Sequence, residues 1–341
     1  MSLNAVQSFI RKDLLDIDCV LKRVMFSRVA YINDIVFYME KKSGKKVRPL
    51  VLILTARALG YTGVQHIYFS VILELLHMAT LLHDDVVDGD VYRRTKLVTN
   101  SFFDNQTAIL FGDFVYSRAF QLMVSTKNQA ALHILSNATN VLTEGELLQH
   151  SNVSNINITK VQYMYTIECK TSVLFSAAAE IGAILGGCGI GDQSVLRSYG
   201  VTLGLVYQLV DDVLDYTSSK IFLGKNFGSD FFSGKITLPL LFVFECYPAM
   251  RRVVLASLKG DYKVRYCVFR KICSLIKETN SMERVMLLID SLILKSSSLV
   301  SGLVLRSVFR NMLFITTIRM LPRTFIYKIR NGRDLNPRPS A

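Results

Sequence analysis

Proline and glycine are sparse, with six and nineteen among 341 residues. Few helix breakers, and little period-two alternation between turn signals, exclude an architecture of many short strands. The six cysteines (Cys19, Cys169, Cys188, Cys246, Cys267 and Cys273) form no CxxC pair. That argues against a zinc site and a disulfide framework, and favours a reducing compartment. The amino-terminal stretch lacks the apolar core of a signal peptide, because Arg11, Lys12, Asp13, Asp16 and Asp18 interrupt it. No 18-residue window is both free of charge and clearly apolar, so no membrane span is expected. Together these absences give a cytoplasmic expectation. Acid is also in short supply: 27 Asp and Glu stand against 40 Lys and Arg, a net charge of +13. Residues 283–341 alone contribute +7 of that excess. No nucleic-acid-binding motif accompanies it, so nucleic acid is not expected as a partner.

What the chain does have is apolar residues, 50% of the total, recurring at helical spacing. The expected fold class is all-α. The pattern predicts one or two helices over 5–40, a loop at 43–49 closed by Pro49, and helices over 50–59, 67–88, 106–125 and 129–149. A linker at 151–159 offers Thr159 as an N-cap. Helices over 160–185 and 193–216 follow, separated by the glycine turn 186–191, and another begins near Pro239. That turn is no nucleotide loop, since it follows a helix and lacks a Lys-Ser/Thr ending.

Two aspartate clusters carry the chemistry. Asp84, Asp85 and Asp88 form one DDxxD; Asp211, Asp212 and Asp215 form the other. Each follows an apolar run, and on a helix residues three or four apart share a face. Charge gathered on an otherwise apolar surface needs cations. Mg²⁺ suits carboxylate oxygens, and it usually keeps waters and takes substrate phosphates as well. The pair of clusters therefore points to a magnesium-bridged diphosphate site between two facing helices. Basic groups flank both clusters: Lys45 with Arg48, then Arg93 with Arg94, and Lys225 with Lys235. Arginine forks and lysine point charges both match phosphate. His77 lies two helical turns before Asp84 on nearly the same face. Lys170-Thr171 sits mid-helix and needs a partner there. Gln208 faces the same way as Asp211. His83 faces elsewhere, and His66, His133 and His150 carry no pattern.

In order along the chain, GKKVRP, LLHDDVVDGDVYRR, ILFGDFVYSRAF, EGELLQ, KTSVLF, and GLVYQLVDDVLDY followed by GKNFGSDFFSGKITLPLL resemble the signatures of the trans-isoprenyl diphosphate synthases, the polyprenyl synthetase family. The likeness covers residues 5–280. It implies a bundle of long helices around a deep central cavity, a homodimer, and about three Mg²⁺ ions per site. It assigns Asp84, Asp88 and Asp211 to metal, with Asp85, Asp212 and Asp215 in support. Arg93, Lys170, Thr171, Gln208, Lys225 and Lys235 are assigned to an allylic diphosphate. Lys45, Arg48, His77 and Arg94 are assigned to isopentenyl diphosphate. Thr95 stands where the family usually has glycine, and Tyr207 where it has phenylalanine.

The product's tail is expected to run along the apolar helix before Asp84. Ala79 and Thr80 are small, so Leu76, with Leu73 and Ile72, sets a deeper floor. The expected product is long, around octaprenyl, as a quinone side chain. Alternatives are a shorter-chain synthase, a terpene cyclase, and an inactive partner subunit. The cyclase lacks support because the Asn/Asp-Ser/Thr-Glu metal triad is absent near 211–219. The synthetase domain is expected over 1–282. Beyond it, residues 283–341 lack the family's closing pattern and read as a divergent, fused or frame-shifted tail. Its last ~20 residues have a disordered composition, and its basic part is a candidate membrane-surface anchor.

Overall fold

The computed structural model describes residues 8–40, 44, 46–89, 92–93, 96–217 and 227–303, with only the backbone at 40, 92, 93 and 96. Lys45, Arg94 and Lys225, the side chain of Arg93 and the end of the tail from 304 lie outside the described residues.

The one or two helices expected over 5–40 are two, α1 (Arg11–Met25) and α2 (Ala30–Glu40). The chain turns extended at Phe26, and the Asn33 side chain accepts from the Ser27 amide at 3.0 Å to start the second helix. Then come α3 (Val47–Ala58) and α4 (Gln65–Val87). A two-residue antiparallel ribbon pairs Tyr92 with Leu97 and Arg93 with Lys96. Next are α5 (Thr99–Phe102), α6 (Asn105–Ser125) and α7 (Gln129–Ser151). Asp104 and Asn128 cap the last two, each accepting from a backbone amide three residues on. Thr159 and Gln162 close a reciprocal capping box on α8 (Lys160–Ile167). That helix runs through a π-helical turn (Glu168–Ser172) into α9 (Val173–Leu185). The rest is α10 (Ile190–Thr217), α11 (Ser229–Phe232), α12 (Leu238–Cys246), α13 (Met250–Leu258), α14 (Tyr262–Glu278) and α15 (Ser281–Ser301). The fold is all-α.

Burial sets the layers. Leu50–Ala56 of α3 and Leu174–Ala179 of α9 are buried all round, so these two helices form the centre. They approach closely at Gly182, where a Cβ would stand 2.8 Å from Thr55 Cβ. Helix α4 packs along α6, and α9 along α10. One core gathers α3, α4, α6 and α9; a second gathers α12, α14 and α15. Helix α10 joins them, with Leu203 in the first and Val206 in the second. Helix α4 is long and apolar enough to cross a membrane by composition, yet it is mostly buried among other helices. The domain limit expected at 282 falls inside α15, which buries Met282, Val285, Met286 and Ile289 and packs on α10.

The π turn is squeezed between two glycines. A Cβ on Gly145 would meet the Lys170 amide nitrogen at 2.7 Å, and one on Gly204 would meet Ser172 Cα at 2.4 Å. A backbone neighbour cannot rotate away, so Gly204→Ala must push α10 off the turn. We expect it to cost about 1–3 kcal/mol, read as a lower denaturant midpoint at unchanged slope.

Candidate active site

Helix α4 ends on its acids. Asp88 is the C-cap, and Gly89 follows in the left-handed region at φ 66°, the usual stop. The second cluster likewise occupies the last two turns of α10. Both acid sets thus sit at the negative ends of helix dipoles, the wrong place for anions. Local stability does not explain them, and cations must.

The structure supplies two. Lys170 Nζ, on the π turn, lies 2.8 Å from Asp84 Oδ2 and donates to Gln149 Oε1 at 2.6 Å. Lys235 Nζ lies 2.6 Å from Asp88 Oδ2. Burial pulls the Lys235 pKa down, but Asp88, Asp230 and Asp84 outweigh it and leave the ammonium raised. The turn that carries Lys170 also reaches the other cluster. The Thr171 hydroxyl donates to Gln208 Oε1 at 2.7 Å, and Gln208 Nε2 donates to Asp212 Oδ1 at 2.8 Å. Asp215 Oδ1 and Oδ2 accept from the Ser229 and Asp230 amides at 3.0 and 3.1 Å, anchoring the loop that delivers Lys235. Both clusters therefore share one site.

Within it the acids differ. Asp212 is buried, and its other oxygen accepts from the Tyr163 hydroxyl. Burial, then Asp230, push its pKa well up against those hydrogen bonds. Asp85 is buried too. Asp84 and Asp88 are partly exposed, four residues apart on one face, and Asp211 is open to solvent. Among the described residues no three His, Cys, Asp or Glu side chains form a ready metal cage. The donor set nevertheless fits a hard cation that brings its own waters and phosphate oxygens. Ammonium groups already stand against Asp84 and Asp88, where positive charge is wanted.

The remaining expected residues lie along α4, with Arg48 on α3 beside it. Glu74, His77, Asp84 and Asp88 share one stripe at helical spacing. Arg48 faces Glu74 of that stripe, and Glu74 lies about 15 Å from Asp84 along the helix by its rise. Its guanidinium stacks over Phe175 at 5.0 Å. Burial lowers its pKa, partly offset by Glu74 and Tyr207. No described contact joins Arg48 to either acid cluster. Leu76, Ala79 and Thr80 are buried in the first core, and the Thr80 hydroxyl donates to the His77 carbonyl at 3.0 Å. His83 instead faces α6, 3.2 Å from the Ile109 carbonyl. His66 joins Asp13 and Arg57 in a structural cluster.

Sequence reasoning missed Glu146, Gln149 and Tyr163 as site residues. Glu146 sits near Asp84, Asp88 and Lys170; burial first, then Asp84, raise its pKa to about 7. The signal was present in EGELLQ, where Glu146 and Gln149 are three apart on one helical face.

A helical bundle whose centre joins two aspartate clusters through lysines defines the isoprenoid synthase class. The polyprenyl synthetase family model matches residues 29–272. The chain is 42% identical over 241 residues to octaprenyl diphosphate synthase of Escherichia coli (strain K12), spanning 71% of this chain and 75% of that one. It is 39% identical over 233 residues to all-trans-nonaprenyl-diphosphate synthase (geranyl-diphosphate specific) of Rhodobacter capsulatus, spanning 68% of this chain and 71% of that one. A polyprenyl synthase of Caulobacter crescentus, solved with calcium and isoprenyl diphosphate, superposes with TM-score 0.87 at 32% identity, covering 94% of this chain and 98% of that one. The chain belongs to the polyprenyl synthetase family and is a transferase, resembling the octaprenyl diphosphate synthases.

Tyr163→Phe removes a donor from a buried carboxylate. The expected cost is about 1–3 kcal/mol, measured by chemical denaturation near neutral pH.

Proposed function

We propose that this protein condenses isopentenyl diphosphate with an allylic diphosphate, in the presence of Mg²⁺, to give a long all-trans polyprenyl diphosphate around the octaprenyl length, a quinone side chain. The observation that carries the reading is the double bridge, Asp84 to Lys170 and Asp88 to Lys235, from two distant segments that also hold Asp212 and Asp215. Asp84, Asp88 and Asp211 are the oxygens left for about three metal ions. Bound there, Mg²⁺ would neutralise charge growing on the leaving diphosphate. Lys170, Thr171, Gln208 and Lys235 hold that diphosphate, with Arg93 and Lys225. Lys45, Arg48, His77 and Arg94 take isopentenyl diphosphate.

The allylic C–O bond breaks with both electrons leaving on the diphosphate. The double bond of isopentenyl diphosphate attacks the resulting cation. A proton then leaves to the departed diphosphate, so no protein nucleophile is required. Lysine charge beside the leaving group stabilises it electrostatically, usually the largest catalytic contribution. The apolar helices around the site keep water from the cation. The growing tail lies along α4, past Ala79 and Thr80 toward Leu76.

The uncovered face of α6 supports a homodimer: Ile109, Leu110, Phe120 and Val124 are exposed on one side, with Leu110 at 61% and Val124 at 67%. We place the protein in the cytoplasm, with the basic tail available for a membrane surface.

Purified protein given labelled isopentenyl diphosphate and farnesyl diphosphate should yield long-chain product with Mg²⁺ and none with a chelator. Asp88→Asn should lower the rate by about 10²-fold or more. Labelled product that stops after one addition to the farnesyl primer would refute the length assignment; cyclised hydrocarbon would indicate a cyclase, and neither product an inactive partner. Ala79→Phe should shorten the chain, and an unchanged product profile would move the tail away from α4.

A further inference from the structure

Two of the acids assigned to metal are already neutralised by the protein. Lys170 stands 2.8 Å from Asp84, and Lys235 stands 2.6 Å from Asp88. An ammonium and a divalent cation cannot both sit on one carboxylate without strong mutual repulsion. Lys170 also has somewhere else to be. Lys170 is held by Gln149 at 2.6 Å, and beside it Glu146 Oε1 is out of water with no hydrogen-bond partner. Lys235 follows a loop that Asp215 pins through backbone amides, so its backbone is held independently of its ammonium.

We propose that Lys170 and Lys235 are internal counter-ions, displaced from Asp84 and Asp88 when metal binds and then taken up by diphosphate oxygens. The inference rests on the metal–diphosphate reading above. It makes the preferred ligand a metal–diphosphate complex, because a free ion must evict two ammonium groups and Glu146 stands beside only one of them, whereas diphosphate can take up both. Coupling of this kind is reciprocal between the two ligands and commonly spans 5- to 150-fold, roughly.

The test uses the full chain, Mn²⁺ and inorganic diphosphate. Mn²⁺ binding is measured by electron paramagnetic resonance for the wild type, Lys235→Gln and Lys271→Gln, the last an exposed lysine of α14. In parallel, lysines are acylated and read by mass spectrometry. Lys235→Gln should bind Mn²⁺ alone about tenfold more tightly, and Lys271→Gln should not. In the wild type, Mn²⁺ alone should raise acylation of Lys170 and Lys235, and added diphosphate should suppress it. Equal Mn²⁺ affinity in wild type and Lys235→Gln overturns the proposal, as does acylation that ignores Mn²⁺. So does equal tightening in Lys271→Gln, which would mean a general field effect. In each of those cases the site reading survives. No Mn²⁺ binding even with diphosphate overturns both.

Discussion

Negative charge at the wrong end of two helices is the constraint that organises this molecule. Acids stabilise helix N-termini and disfavour C-termini. Here Asp84 and Asp88 close α4, and Asp211, Asp212 and Asp215 close α10. The two ends converge, so like charges also repel across the gap. The surrounding chain supplies the compensation: two lysines, a tyrosine hydroxyl, a glutamine amide and the backbone amides of α11. Asp212 and Asp215 are tied into the protein by those bonds. Asp84, Asp88 and Asp211 are less enclosed than those two.

The placing of Lys170 depends on packing far more than on charge. An α-helix running straight from α8 into α9 would put successive residues 100° apart in regular order. The π turn inserts a local shift, a feature frequent at functional sites. It lets Lys170 turn to α4 and α7 while its neighbour Thr171 turns to α10. Gly145 and Gly204 make room on either side by carrying no Cβ. Backbone contact on both flanks leaves the turn little freedom to relax, so the stem that carries the ammonium is fixed at its base.

Much of this was legible beforehand. The all-α class, the helices that carry both acid clusters, the Thr159 cap and the glycine turn after α9 follow from periodicity and punctuation. The shared site followed from paired acid clusters flanked by basic residues. What was not legible depends on three-dimensional registry. Nothing in IECKTSVLF announces a π turn, because its cause is the glycine contacts from α7 and α10. The partner of Lys170 was open, and it is Asp84 with Gln149. The neighbours of Arg48 were equally open, and those described are Phe175, Glu74 and Tyr207. Residues past 282 look poorly patterned, but α15 buries one apolar stripe against α10 through tertiary packing.

The bond between Lys235 and Asp88 closes a span of 147 residues. A ribosome therefore releases the acids of α4 long before it makes the ammonium that answers them. Until then that helix end carries unbalanced charge and has every reason to fray. The hollow becomes electrically quiet only after α10 and its loop have docked, so a truncated amino-terminal half would keep the acids and lose the bridge that holds them.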